Sequence, residues 1–106
     1  MNVVITGRHV NVSDKQSRHI EDKVEKLGRF FNGLHDARVT IEQEGGDRRV
    51  ELTVAGSNGI SFAGQGEATS LNHAVSLAEA RVEAQVRRHK EKLNNKRPRT
   101  PLQATA

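Results

Sequence analysis

Between Val39 and Ala63 the sequence alternates apolar and polar residues in three successive runs, and nothing else in the chain restricts the fold as tightly. Val39 and Ile41 alternate with Thr40 and Glu42, Val50, Leu52 and Val54 with Glu51 and Thr53, and Ile60 and Phe62 with Ser61 and Ala63. A period of two places all the large apolar side chains of each run on one side of a strand. Gly45-Gly46-Asp47 joins the first two runs and Ser57-Asn58-Gly59 the second two, both with the residue types of hairpin connections. The product is a three-stranded meander with one apolar face, and such a face must be covered by another layer.

The flanking segments supply that cover. Ile20, Val24, Leu27, Phe31 and Leu34 recur at steps of four and three, one stripe of an amphipathic helix. Ser13 and Gln16 have the spacing of a capping box, Asp14 adds negative charge at the positive end of the helix dipole, and Asn32-Gly33 supplies a stop. A second helix begins after Ser70 as N-cap, with Leu71, Val75, Ala78, Val82, Val86 and Leu93 in line and His89 on the same face. Before the first helix, Asn2 to Thr6 reads as a strand and Gly7 to Val12 as a connection. Gly28 stands inside the first helix without a reason visible in the sequence. The expected fold is α+β in the order β-α-β-β-β-α, a four-stranded sheet with two helices packed on one face. With 106 residues there is room for one core. The expected division is a single domain over 1–94 and a basic tail over 95–106, disordered or ordered only on binding, since it is polar and carries Pro98 and Pro101.

Several kinds of chemistry are excluded or disfavoured by what the chain contains. It has no cysteine, so disulfides and thiolate metal sites are ruled out, and the expected location is a reducing cytoplasm. Its first residues lack the basic start and apolar stretch of a secretory signal, and no apolar run approaches bilayer length. His9, His19, His35, His73 and His89 show no metal-ligand spacing, and no nucleophile motif is present. Gly64-Gln65-Gly66 lacks the rest of a phosphate-binding loop and reads as a strand end. The expectation is therefore a non-enzymatic protein without cofactor or metal.

Charge points to a partner. Residues 79–106 carry eight Lys or Arg against three Glu, a net +5, whereas residues 1–78 carry nine against ten acidic residues, a net −1. So lopsided a field attracts polyanions. Cations near a helix end complement its dipole at about 0.3–1 kcal/mol each, but two or three would suffice for that. Here the run continues past the helix into Lys96-Arg97-Pro98-Arg99. At 100° per residue, Arg81, Arg88 and Lys92 share one flank of the second helix. Lys15, Lys26 and, more loosely, Lys23 and His19 share a flank of the first, and side-by-side packing would bring the two flanks to a common groove. The chain has no Trp or Tyr and three Phe, of which only Phe30 lies off the apolar faces. That is too few for a single-strand binder built on stacking, so recognition by shape and phosphate, hence folded RNA, is the better expectation. Neither a zinc-finger spacing nor a helix-turn-helix is evident, so no DNA is expected, and the Ala- and Val-rich second helix does not suit a membrane surface.

Gly7-Arg8-His9-Val10 followed by Ser13-Asp14, then Lys23-Val24-Glu25-Lys26-Leu27-Gly28-Arg29-Phe30-Phe31, resemble the N-terminal half of ribosome hibernation-promoting factors. Arg87-Arg88-His89-Lys90-Glu91-Lys92 resembles the basic end of that family's second helix. The resemblance implies a fold related in shape to double-stranded-RNA-binding domains. It also implies binding to the small ribosomal subunit, in the channel used by mRNA and tRNA anticodon ends, so that initiation is blocked and idle ribosomes are preserved. Lys23, Lys26, Arg29, Arg81, Arg87, Arg88, Lys90 and Lys92 are then the candidate contacts to rRNA, with Arg8 added by the first motif and Lys96 and Arg97 by the charge run. Long members of the family carry a second, dimerising domain not found in this sequence, and the resemblance adds a helper protein for ribosome pairing as an expected partner. The sequence departs from the family where Ser70, Asn72 and Ser76 replace acidic and aromatic residues. Two other readings stay open: a protein-binding regulator of the sigma-factor-modulator type, and a general structured-RNA chaperone or ribosome-assembly factor.

Overall fold

The computed structural model describes residues 1–31 and 33–96, with the side chains of 93–96 outside the description. The elements follow the order β1 (Asn2–Arg8), α1 (Asp14–Phe30), β2 (Leu34–Glu44), β3 (Asp47–Gly56), β4 (Ser61–Ala68) and α2 (Leu71–Lys96). One four-stranded sheet has the spatial order β1-β2-β3-β4. β1 runs parallel to β2, Val3 facing Ala37 and Ile5 facing Val39. The other two pairings are antiparallel, aligning Val39, Leu52 and Gly64 across three strands, and Ile41, Val50 and Gly66 beside them. These rows form the inner face, and both helices lie on it, as the two stripes require.

α1 starts where its capping box sets it. Ser13 Oγ accepts from the Gln16 N–H at 3.1 Å, and the Gln16 side chain accepts from the Ser13 N–H at 3.1 Å, so two otherwise unpaired donors are satisfied. Ser13→Ala is expected to lower unfolding free energy by about 0.5–2 kcal/mol, read as a shift in urea midpoint at constant m. α1 buries Ile20, Val24 and Leu27, while α2 buries Leu71, Ala74, Val75, Ala78, Val82 and Val86 against the strands. Each fully buried Val, Leu or Ile contributes about 1.5–3 kcal/mol relative to exposure.

The stripe over-extends α1 at its C-terminal end. Phe31 is extended, at φ −141° and ψ 108°, and its N–H closes on the Leu27 carbonyl. Leu34 opens β2 opposite Gly56, with a register shift before Asp36. Its side chain still enters the same core, which is why it falls in line with the helical stripe. Gly33 and Gly56 meet backbone to backbone here, the Ser57 N–H donating to the Gly33 carbonyl at 2.9 Å, and a Cβ on Gly56 would strike that carbonyl. The Asn58-Gly59 turn is tight, with positive φ at both residues, the geometry that suits the right-handed twist of a hairpin.

Other differences are small in extent. β1 continues through Arg8, two residues further than the β-branched run. α2 runs through Lys96, two residues past residue 94, and Arg97 and the rest of the tail lie outside the described residues. A Cβ on Gly28 would meet only the movable end of the Met1 side chain, whose Cε lies 2.7 Å away, so the structure gives this glycine no requirement. Gly64-Gln65-Gly66 is not a strand end but the middle of β4, directly beneath α2.

Candidate nucleic-acid interface

The sheet holds the two helices side by side, and their outer surfaces carry most of the candidate cations. Lys26 and Arg29 are exposed on α1, and with His19, Asp22 and Lys23 they line a shallow depression of about 620 Å3. Arg81 and Arg88 are exposed on α2, where with Gln65, Gln85 and Glu51 they border a second depression of about 600 Å3. Lys92, also exposed, follows one helical turn beyond Arg88.

These two surfaces do not merge into one groove. The flank bearing Arg81 and Arg88 faces the outer edge of β4, on the side of α2 away from α1. Gln85 pairs twice with Ala63, its Nε2 donating to the carbonyl and its Oε1 accepting from the N–H, and the Arg81 guanidinium donates to the Gln65 carbonyl. Side chains thereby satisfy backbone groups on the free edge of β4, an exposed row that otherwise invites another strand. The flank of α2 turned toward α1 carries Ser76, Glu79, Arg87 and Lys90 instead. The common groove expected from the helical wheel is therefore divided by α2 itself, since the core stripe lies between its two flanks.

Besides Arg81, which donates to the Gln65 carbonyl, four candidate residues already have partners inside the protein. Lys23 Nζ donates to Ser76 Oγ at 3.0 Å and lies 3.6 Å from a Glu79 carboxylate oxygen. Arg87 pairs with Glu83 at 3.0 Å and stands over the Phe30 ring. Lys90 Nζ lies 4.4 Å from the centre of that ring and donates to the Phe30 carbonyl at 3.0 Å. A cation on the last turn of α1 complements the negative end of its dipole and ties it to α2. Phe30, expected to lie off the apolar faces, packs against the edge of the core and is occupied by cations of its own chain. Arg8 projects from the opposite, helix-free face of the sheet and pairs with Glu42 at 3.4 Å, beside Arg49. Lys96 ends α2 with its side chain undescribed, and Arg97 lies outside the described residues.

Lys26, Arg29, Arg81, Arg88 and Lys92 remain, all exposed and without an ion-pair partner among the described residues. Sequence reasoning missed Gln85, whose double bond to β4 fixes the flank from which Arg81 and Arg88 project. Its signal was an amide three to four residues from each arginine on one helical face. His89 packs edge-on against Phe31 and Phe62, as expected of a boundary histidine rather than a ligand. Among the described residues no cluster of three or more potential metal ligands occurs, and no helix is long and apolar enough to cross a membrane.

Comparison with known proteins gives a consistent answer. Residues 3–94 match the family described as "Sigma 54 modulation protein / S30EA ribosomal protein". The chain is 29% identical over 99 residues to a ribosome hibernation promotion factor of Bacillus subtilis, covering 91% of this chain and 52% of that one. It is 26% identical over 96 residues to one of Rhizobium meliloti, covering 90% and 50%. It thus spans about half the length of these curated relatives, although it covers 85% of a ribosome hibernation promoting factor of Azotobacter vinelandii at 27% identity, with 87% of this chain matched. Among solved structures, the N-terminal domain of Thermus thermophilus Protein Y superposes with a TM-score of 0.76 at 29% identity, covering 84% of this chain and 99% of that one. A ribosomal subunit interface protein from Coxiella burnetii superposes at 0.78 with 18% identity, covering 86% and 99%, and so shares the fold. With its β-α-β-β-β-α order matched in structure and nearly its whole described length matched in sequence, the chain belongs to the Sigma 54 modulation protein / S30EA ribosomal protein family.

Proposed function

We propose that this chain acts in the cytoplasm as a ribosome-binding inhibitor of translation, occupying the mRNA and tRNA channel of the small subunit through contacts to rRNA. The observation that carries the reading is that Lys26, Arg29, Arg81, Arg88 and Lys92, all on the helix layer, are exposed and have no carboxylate partner among the described residues. Rigid α-helices backed by a sheet hold them at fixed spacings, which favours a folded, phosphate-dense surface over a flexible strand. Relatives named as ribosome hibernation factors support the choice of ribosome over other structured RNA. No step of the proposed function needs catalysis: a plug acts by exclusion.

Sedimentation tests it. The chain is expected to travel with small subunits in a sucrose gradient and to be displaced by tRNA together with mRNA. If five phosphates are neutralised, the slope of log K against log salt is expected near −3.5 to −4.5, about −0.7 to −0.9 per contact. A slope near zero, or undiminished co-sedimentation in the presence of excess tRNA, would remove the channel from the reading. The family description also names sigma 54 modulation, and nuclease separates the two. Complexes that dissolve on RNA digestion belong to the ribosome reading, whereas complexes that survive it belong to a protein-binding regulator.

A further inference from the structure

The α1-facing flank of α2 places two carboxylates where a polyanion-binding groove would be expected to have none. Glu79 and Glu83 stand one turn apart, and each holds a cation: Lys23 across the groove at 3.6 Å, and Arg87 along the helix at 3.0 Å. The Glu79–Lys23 pair is well shielded, with side-chain exposures of 18% and 25%, and Ser76 supplies Lys23 with an additional acceptor at 3.0 Å. Lys90, further along, is engaged by Phe30. Lys23 and Arg87 in the groove between the helices thus already hold carboxylate partners, while among the described residues Lys26 and Arg29, on the rim of the depression that Lys23 lines, and Arg81, Arg88 and Lys92, on the far flank of α2, hold none.

Resting on the ribosome reading, we propose that Glu79 and Glu83 are specificity-determining residues that act by repulsion. They keep Lys23 and Arg87 paired in the complex as well as in the free protein. They also set negative charge against any RNA strand that lies down between α1 and α2. A generic duplex or single strand follows the nearest continuous line of cations, and without the two glutamates that line would run through the groove. A cleft whose phosphates match only the outer cations, Lys26 and Arg29 on one side and Arg81, Arg88 and Lys92 on the other, does not meet the carboxylates. Selectivity then comes from a penalty on the wrong partner rather than from an added contact with the right one. Like charges brought together at an interface suppress wrong partners strongly, so two such groups are sufficient for a large effect.

The test compares Glu79→Gln/Glu83→Gln with Glu21→Gln/Glu25→Gln, which makes the same change in net charge on α1. Affinities are measured at one fixed salt concentration for a generic RNA duplex, for poly(U) and for purified small subunits. The groove variant is expected to bind duplex and poly(U) about tenfold more tightly, some 1.4 kcal/mol, while its affinity for subunits moves by about threefold or less. The α1 variant is expected to shift all three alike and by less. Equal gains on all three RNAs, or gains matched by the α1 variant, would reduce the glutamates to ordinary net charge and overturn the proposal. Unchanged duplex and poly(U) binding would overturn it too. Thermal melts of both variants check folding, and Glu83→Gln alone, which leaves the shielded Lys23 pair intact, is expected to show part of the same selectivity loss. A wild-type chain that ignores small subunits sinks the ribosome reading itself. A wild-type chain that binds them, with a groove variant that remains selective, sinks only the inference about the glutamates.

Discussion

Arg88→Glu/Lys92→Glu is expected to lower affinity for small subunits by about 10²–10⁴-fold while leaving a folded domain. Each reversal removes a phosphate contact and sets a carboxylate against the RNA, and like-charge contacts at a desolvated interface cost several kcal/mol. The salt dependence should fall at the same time, the slope losing about 0.7–0.9 for each contact removed. Folding should suffer little because both side chains are exposed and neither takes part in an ion pair among the described residues, so no partner is left stranded. Their proximity to the C-terminal end of α2 makes glutamate unfavourable there by about 0.3–1 kcal/mol each, a shift that a thermal melt will register without loss of the transition. Arg87→Glu is the informative contrast. Arg87 already belongs to Glu83 and Phe30, so its reversal should disturb the α1–α2 contact and cost stability more than binding. A double variant that binds subunits as tightly as wild type would remove the β4-side flank of α2 from the mechanism.

That contrast between neighbours shows where sequence reasoning stops. Periodicity finds faces, and it located both helices, three strands and the inner face, because burial on one side of an element repeats at the period of the element. The capping box at Ser13 and the Asn58-Gly59 turn were legible for the same local reason. Leu34 was not, because its position seven residues after Leu27 satisfies a helical stripe while its side chain reaches the same core from a strand. Nor does a helical wheel say what stands on either side of the stripe. The neighbours of α2 are α1 on one flank and the edge of β4 on the other, and that arrangement decides which arginines are free and which are paired. Lys23 with Glu79 is a contact between residues 56 apart in sequence, which composition and spacing do not encode. The charge surplus of the C-terminal quarter did identify the helix that carries Arg81, Arg88 and Lys92. It did not separate them from Arg87 and Lys90.

The fit of α2 onto β4 depends on two glycines, and Gly66→Val is the substitution expected to damage the fold most. The alternation begun by Ile60 and Phe62 continues inward with Gly64 and Gly66, both buried, and facing them on α2 are Ala74 and Ala78. A Cβ on Gly66 would collide with the Ala74 carbonyl oxygen and come within 2.8 Å of both the Ala78 nitrogen and the Leu77 Cβ. The first two obstacles are helix backbone, which cannot rotate aside, so the helix would have to lift from the sheet. Lifting it strips cover from Val50, Leu52 and Val82, each now 2% exposed or less. Overpacking usually costs about 1–3 kcal/mol and sometimes more, and the rigid neighbours here put the expected loss at the top of that range. For a domain near this size each kcal/mol moves the melting temperature by about 4–8 °C, so a drop of about 12–24 °C is expected, with Gly66→Ala lying between it and wild type. Gly46→Ala provides the control, since nothing lies within 4 Å of its Cβ position and its φ is not in the left-handed region. A Gly66→Val protein that melts within a few degrees of wild type would mean that α2 does not rest on β4. The flank that aims Arg81 and Arg88 outward would then lose its support, because Gln85 and Arg81 reach the β4 edge only when the helix lies this close.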